Sequence, residues 1–392
     1  SLGYQKGDKA ITICNNRPEW NFVDMGLNLS GMVHIPVYPT LSEDEYLHIF
    51  NHSDAKIIFL GNPNHYKKIS PIVAKMDRPA KVYLMDDSTE IDCLSNLYKI
   101  GEENRDKFSP VVEKIKSETG KDDLATIIYT SGTTGTPKGV MLSHWNLMFN
   151  AMAHAKKQPV TSSQKMVSFL PLCHIYERSM NYEYQYIGIS IYYAESISTI
   201  QRDLAGCHAD GFCSVPRVLE MMYFKFEAAG KNLTGIKKKI YKKAWNFANT
   251  FDYYNLNKFY LFKRDIYDKL VFSKWREALG GHEMTIVSGG SSIQGKIVRL
   301  FNAARIGIYE GYGMTETSPV IAVNDPIERI NVIGTVGTPL EGTELKIAED
   351  GEILTKGPHV MIGYYKDPIQ TKEIIDEDGY LHTGDIGKMV DG

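Results

Sequence analysis

Cysteine is scarce in this chain and is not arranged for cross-linking. The five residues Cys14, Cys93, Cys173, Cys207 and Cys213 are odd in number and widely dispersed, with no Cys-x-x-Cys pair. That pattern argues against a zinc ribbon and a disulfide framework, and it suits a reducing cytoplasm. No stretch approaches the roughly 18 consecutive apolar residues of a membrane-spanning helix, so none is expected. The start of the chain has no charged-then-apolar-then-small leader, so no signal peptide is expected either. Net charge is only −3, which offers no global attraction for nucleic acid, and no nucleic-acid module is recognisable. Two phosphate-binding signatures are also missing. A Walker A loop needs a hydroxyl residue directly after its lysine, but Gly139 follows Lys138, and no G-x-G-x-x-G turn occurs.

What is present is a chain of 392 residues, long enough for two or three domains or subdomains with their own cores. Apolar strand-like runs alternate with helical patterns. Residues 9–14 read as a strand, and Pro18 opens a helix that Gly31 is placed to end. Residues 33–38 and 56–60 read as further strands. Ser42 and Glu45 form a capping box at the start of the helix between them. The same pairing recurs at 166–170, 216–229, 284–304 and 306–309. This alternation predicts an α/β fold with mainly parallel sheets. From about Gly334 short strands alternate with turns, which predicts a small β-rich, barrel-like subdomain over 334–392 after paired α/β subdomains over 1–333.

The most telling segment is Tyr129–Gly139, YTSGTTGTPKG, with three glycines, five hydroxyl side chains and one lysine in eleven residues. Glycines let the backbone turn tightly, and successive N–H groups then form an anion-binding concavity. The hydroxyls of Thr130, Ser131, Thr133, Thr134 and Thr136 add neutral hydrogen bonds, and Lys138 adds a mobile positive charge. Such a loop suits a polyphosphate. A second cluster, Gly311–Thr317 (GYGMTET), follows a strand. It offers an aromatic face at Tyr312, a hydroxyl at Thr315 and a hard oxygen ligand for Mg²⁺ at Glu316.

Residues 237–276 stand apart, with eleven Lys or Arg against three Asp and twelve aromatics between Tyr241 and Trp275. Two readings are open for this stretch. One is a solvated helical pair over a buried aromatic stripe. The other is a surface that meets anionic lipid or a polyanionic cosubstrate, giving peripheral contact at the inner membrane surface.

Taken in order, Tyr129–Gly139, Gly311–Thr317 and Tyr380–Asp385 (YLHTGD) resemble the adenylate-forming superfamily of acyl-CoA synthetases, luciferases and peptide-synthetase adenylation domains. Phe169–Arg178 (FLPLCHIYER), Asn16–Trp20 (NRPEW), Val37–Leu41 (VYPTL), Val215–Arg217 (VPR), Arg276–Gly281 (REALGG) and the long insertion before Gly281 are similar to the long-chain fatty acid–CoA ligase branch. The resemblance implies two mainly parallel sheets in a layered αβαβα arrangement with a small distorted β-barrel. It implies ATP, CoA and a fatty acid as substrates, with Mg²⁺ as cofactor. By position, Thr130, Ser131, Gly132, Thr133, Thr134, Gly135, Thr136 and Lys138 would hold the β- and γ-phosphates. Ser288, Gly289, Gly290 and Ser291 would lie along the adenine and the acyl carboxylate. Glu310, Gly311, Tyr312 and Gly313 would surround the base, with Tyr312 stacked on it. Thr315 would bind the α-phosphate, Glu316 the metal and Asp385 the ribose hydroxyls, and His174 would line the acyl entrance. The acyl tunnel is expected between 182–193 and 218–226.

The resemblance implies a smaller C-terminal lid domain after a hinge, and Gly392 is expected to fall before that hinge. The family's first few dozen residues are also expected to precede Ser1. The expectation is therefore a large N-terminal domain that binds ATP and fatty acid but forms acyl-adenylate poorly. The alternatives are an adenylating ligase for an aryl or medium-chain acid, and a non-catalytic nucleotide- or lipid-binding fragment.

Overall fold

The computed structural model describes residues 2–130 and 136–390. They form two compact units. The first comprises residues up to Met148 with Pro171–Arg178 and Val360–His382, and the second comprises Phe149–Leu170, Ser179–His359 and the residues from Thr383 onward.

The first unit is built on β1 (Lys9–Ile13), β2 (Val33–Pro36), β3 (Ile57–Leu60), β4 (Lys81–Leu84), β5 (Leu124–Thr130) and β6 (Lys138–Ser143). The second is built on β7 (Lys165–Ser168), β8 (Ser190–Tyr193), β9 (Gly211–Ser214), β10 (Met284–Ser288), β11 (Ile306–Gly313), β12 (Val320–Val323) and β13 (Thr338–Pro339). The stretch expected to form one β-rich subdomain is divided among three sheets. β13 extends the second sheet. β14 (Glu344–Ile347), β15 (Glu352–Lys356) and β17 (Leu381–Ile386) make a small three-stranded sheet, and β16 (Gly363–Tyr364) joins the first sheet beside β6. A two-residue strand cannot complete a sheet alone, but it can cap an edge whose N–H and C=O groups would otherwise lack partners. Turn composition gives no sign of which edge that will be.

Both large sheets have seven strands and are mainly parallel, in the orders β16-β6-β5-β2-β1-β3-β4 and β13-β12-β11-β10-β9-β7-β8. Antiparallel pairs occur at β5–β6, β6–β16, β11–β12 and β12–β13. Helices between the parallel strands cover the faces, so strands such as β2, β3, β9 and β12 are buried at every position. The helices start where local chemistry directs. Pro18 opens Pro18–Leu29, and Gly31 follows it at φ 68°. The capping box at Glu43–Ser53 forms as expected, with Ser42 N–H donating to Glu45 Oε2 at 2.9 Å and Glu45 N–H donating to Ser42 Oγ. The core of the first unit packs Ile11, Ile35, Ile58 and Leu60 from the sheet against Tyr46, Ile49 and Phe50 from that helix.

A polar network crosses this core. The Arg178 guanidinium donates through Nη2 to Asp24 Oδ1 at 2.6 Å and through Nη1 to Thr126 Oγ1 at 2.7 Å, and Arg178 and Asp24 are both 0% exposed. His34 Nδ1 lies 2.6 Å from Asp24 Oδ1, and its Nε2 lies 2.8 Å from Thr12 Oγ1. Burial lowers the pKa of His34 despite the neighbouring carboxylate. A neutral ring therefore donates from Nδ1 to Asp24 and accepts at Nε2 from the Thr12 hydroxyl. Trp20 covers the guanidinium at 5.5 Å, and Asn16 Oδ1 accepts the Leu172 N–H at 3.0 Å. The motifs around Trp20 and Arg178 therefore meet in space.

Replacing Arg178 with Met leaves Asp24 as a buried charge without its cation. The Arg178→Met variant should lose about 3–5 kcal/mol of unfolding free energy, read from denaturant titration. A loss below about 1 kcal/mol would show that the pair does not organise this core.

Candidate functional site

In the first unit, the expected phosphate loop connects two antiparallel strands. Thr130 at the end of β5 pairs in register with Lys138 at the start of β6, and Tyr129 pairs with Gly139. Ser131, Gly132, Thr133, Thr134 and Gly135 lie outside the described residues. The flanks are tightly held. Burial raises the Tyr129 phenol and lowers His52, so Tyr129 keeps its proton and donates it to His52 Nδ1 at 2.9 Å. Thr136 is exposed, and the ammonium of Lys138 sits 5.3 Å from the Tyr364 ring centroid. His174, at the start of helix Ile175–Ile187, is exposed, and its Nδ1 accepts the Tyr176 N–H at 3.3 Å. Its Nε2 therefore carries the proton in the neutral ring.

In the second unit a cavity of about 1160 Å³ opens at the carboxyl ends of β10 and β11. Open α/β sheets place their ligands at this end of the strands. Ser288 ends β10 and pairs with Glu310 on β11. Ser288, Gly290, Ser291, Glu310, Gly311, Tyr312, Gly313 and Asp385 all line the cavity. Eight positions chosen from three separated motifs thus share one wall. The Tyr312 hydroxyl donates to Asp385 Oδ2 at 2.7 Å across 73 residues of sequence. Burial raises the pKa of this phenol, so it remains a donor. A carboxylate has about four acceptor sites, and Tyr312 uses one of them. Ser288 Oγ is buried without a hydrogen-bond partner among the described residues, and such a hydroxyl at a cavity wall can take a polar ligand atom.

Glu310 is also buried. Its Oε1 accepts the Gly334 N–H at 2.9 Å, yet loss of solvent raises the carboxyl to about 7. Gly313 must be glycine, because a Cβ there would lie 1.8 Å from the Pro319 carbonyl oxygen. Gly337, at φ 74°, makes the same kind of close approach to Val323.

Of the residues expected beside Ser288 and Tyr312, Gly289, Thr315 and Glu316 do not line this cavity. Gly289 donates its N–H to Ser214 O at 3.1 Å. Thr315 and Glu316 are buried in the 3₁₀ turn Thr315–Thr317 after β11. Among the described residues, no group of three or more His, Cys, Asp or Glu gathers to hold a metal. Sequence reading missed Tyr254, Ser292, Thr335, Gly337 and Lys388, which also line the cavity. Ser292, directly after Ser291, and Lys388, three residues beyond Asp385, stood beside motifs. The others reach the wall through loops.

Residues 1–365 match the family described as AMP-binding enzyme. The chain is 35% identical to long chain acyl-CoA synthetase 6, peroxisomal, of Arabidopsis thaliana, over 96% of this chain and 56% of that protein. It is 30% identical to long-chain-fatty-acid–CoA ligase 1 of Cavia porcellus, over 99% of this chain and 58% of that protein. It therefore spans less than two thirds of the length of these curated relatives. Among solved structures, the N-terminal domain of FACL13 from Mycobacterium tuberculosis shares the fold, with a TM-score of 0.70 at 18% identity over 100% of this chain and 86% of that one.

Gly313→Ala should destabilise the protein by about 1–3 kcal/mol or more, because the clash is with backbone. Gly311→Ala, whose Cβ would meet its nearest atoms at 3.5 Å, should be nearly neutral in the same melting experiment. Glu310 takes up its proton more readily when folded, so its ionisation opposes folding as pH rises from about 4.5 to about 7. Glu310→Gln should therefore melt higher than the parent at pH 8 and close to it at pH 5. An equal offset at both pH values would contradict the burial argument.

Proposed function

Since the chain belongs to the AMP-binding enzyme family, we propose that the whole protein is an AMP-forming long-chain fatty acid–CoA ligase and that this chain carries its nucleotide-binding machinery. The observation that carries the reading is the convergence of Tyr312 and Asp385 on one cavity wall, with the unpartnered Ser288 hydroxyl on the same wall. An aromatic face beside a carboxylate suits a nucleoside, with the ring against the base and the carboxylate accepting from the ribose diol.

The chemistry has two transfers. A fatty carboxylate oxygen attacks the α-phosphorus of ATP and pyrophosphate leaves. The thiolate of CoA then attacks the acyl carbonyl and AMP leaves. Neither step needs a protein nucleophile. The tasks of this chain are positioning and charge compensation. Lys138 and the hydroxyls and amides of 130–136 neutralise the β- and γ-phosphates, and Thr315 donates to the α-phosphate. Glu316 would supply the protein oxygen for Mg²⁺ that arrives with ATP. One carboxylate fits that role, because Mg²⁺ commonly keeps its waters and phosphate oxygens. His174 lies on the acyl side. An apolar chain of about ten methylenes contributes on the order of 8 kcal/mol before the costs of binding, which favours a long acid over a short one. Five free thiols support a reducing, cytoplasmic setting.

Calorimetry on this chain tests the reading. Asp385→Ala should weaken both ATP and AMP roughly tenfold or more, whereas Tyr312→Phe, which keeps the ring and releases the carboxylate, should cost little. Glu316→Ala should weaken Mg-ATP and leave AMP unchanged. Failure of the parent chain to bind either nucleotide would overturn the assignment.

A further inference from the structure

The basic aromatic segment has two faces, and the nucleotide reading uses neither of them. Its inner face is a stack of rings. Trp275 lies flat on Phe226, with centroids 5.0 Å apart and planes 8° apart, and Trp275 Nε1 donates to Tyr241 Oη at 3.0 Å. Phe251, Phe272 and Trp275 are buried there. This is the buried stripe that the sequence suggested.

The outer face is different. Helix Lys258–Tyr267 continues into a π-helical turn at Asp268–Phe272. Along it, Phe259, Phe262, Ile266 and Leu270 recur at the three- and four-residue spacing of a single helix face. They are 66, 64, 43 and 48% exposed. Two large phenyl rings in water on one helix face form an apolar patch left uncovered by the described residues of this unit.

The charges beside the patch indicate its occupant. Asp265 is paired with Arg305 at 2.7 Å, and Asp268 with Arg276 at 2.6 Å. The remaining charges along the helix are cations, and Lys258, Lys263 and Lys269 are all exposed. Lys263 holds its ammonium 4.3 Å from the Phe259 ring centroid, at the edge of the patch. A second copy of this face would bring like charges together. A surface that is apolar inside and anionic outside matches both features at once.

We propose that Phe259, Phe262, Ile266 and Leu270, flanked by Lys258, Lys263 and Lys269, dock this protein on an anionic membrane surface, with the helix lying in the plane of the interface. The helix begins four residues after Tyr254, which lines the cavity, so the docking face and the nucleotide cavity belong to one continuous stretch of this unit.

Flotation of the 392-residue chain with vesicles tests this directly. The parent should bind vesicles of phosphatidylcholine with phosphatidylglycerol, bind vesicles of phosphatidylcholine alone at least tenfold more weakly, and release as salt rises. Phe259→Ser with Phe262→Ser should reduce binding to the anionic vesicles roughly tenfold or more. Both sites are exposed, so the melting temperature and nucleotide affinity of that variant should match the parent. Lys263→Glu with Lys269→Glu should also release the protein while leaving both rings in place. Undiminished binding by the double Ser variant would overturn the proposal, as would no binding to anionic vesicles at low salt. A dimeric parent that becomes monomeric in the double Ser variant would instead assign the face to self-association.

Discussion

Arg178 can occupy the interior of the first unit only because Asp24 is there with it. An unpaired guanidinium in that core would cost several kcal/mol, so the two residues constrain everything between them. The ion pair sets where the helix from Pro18 lies against β1 and β2. Through Thr126 it also ties β5, and therefore the strand that leads into the glycine-rich stretch after Thr130. Trp20 shields the pair on one side, and the neutral His34 donates to the same Asp24 oxygen that Arg178 holds. The motif that ends at Arg178 is thus first a packing device. His174, one turn before it, inherits its position from that device, with Arg178 N–H bonded to His174 O.

The second unit solves a different problem, how to leave space. Its cavity exists because β11 runs on past its parallel partner β10 and turns to pair antiparallel with β12. That change of partner brings Gly313 against the Pro319 carbonyl, where only a hydrogen fits. Side chains on the extended end of β11 then face the cavity instead of a neighbouring strand. Glu310 and Tyr312 both reach it, and each is perturbed by the loss of water on one side. The raised carboxyl of Glu310 and the raised phenol of Tyr312 share this cause. A nucleoside needs such a wall, partly desolvated with a few placed donors and acceptors.

The two faces of the basic segment show how one stretch of sequence can serve two environments. Twelve aromatics are too many for a single buried stripe on short helices. Those that pack inward stack on Phe226 and on one another, and those that do not remain outside beside lysines.

Local chemistry settled much of this protein. Alternating strands and helices, the capping box at Ser42, the proline start at Pro18 and the glycine-rich loop between two strands can all be read in order along the chain, because each depends on neighbours within a few residues. The motifs that carry Tyr312 and Asp385 were legible for the same reason. Tertiary structure alone decided that Tyr312 and Asp385 are hydrogen-bonded, that the Ser288 hydroxyl has no hydrogen-bond partner among the described residues, and that Thr315 and Glu316 lie off the cavity wall. It also decided that Tyr254 and Thr335 join that wall, and that β13 and β16 leave the β-rich segment to cap two different sheets. These outcomes depend on which strand edges and loop ends meet across tens or hundreds of residues. Periodicity and turn propensity cannot specify that meeting, because packing and the pairing of buried polar groups determine it only once the chain has closed on itself.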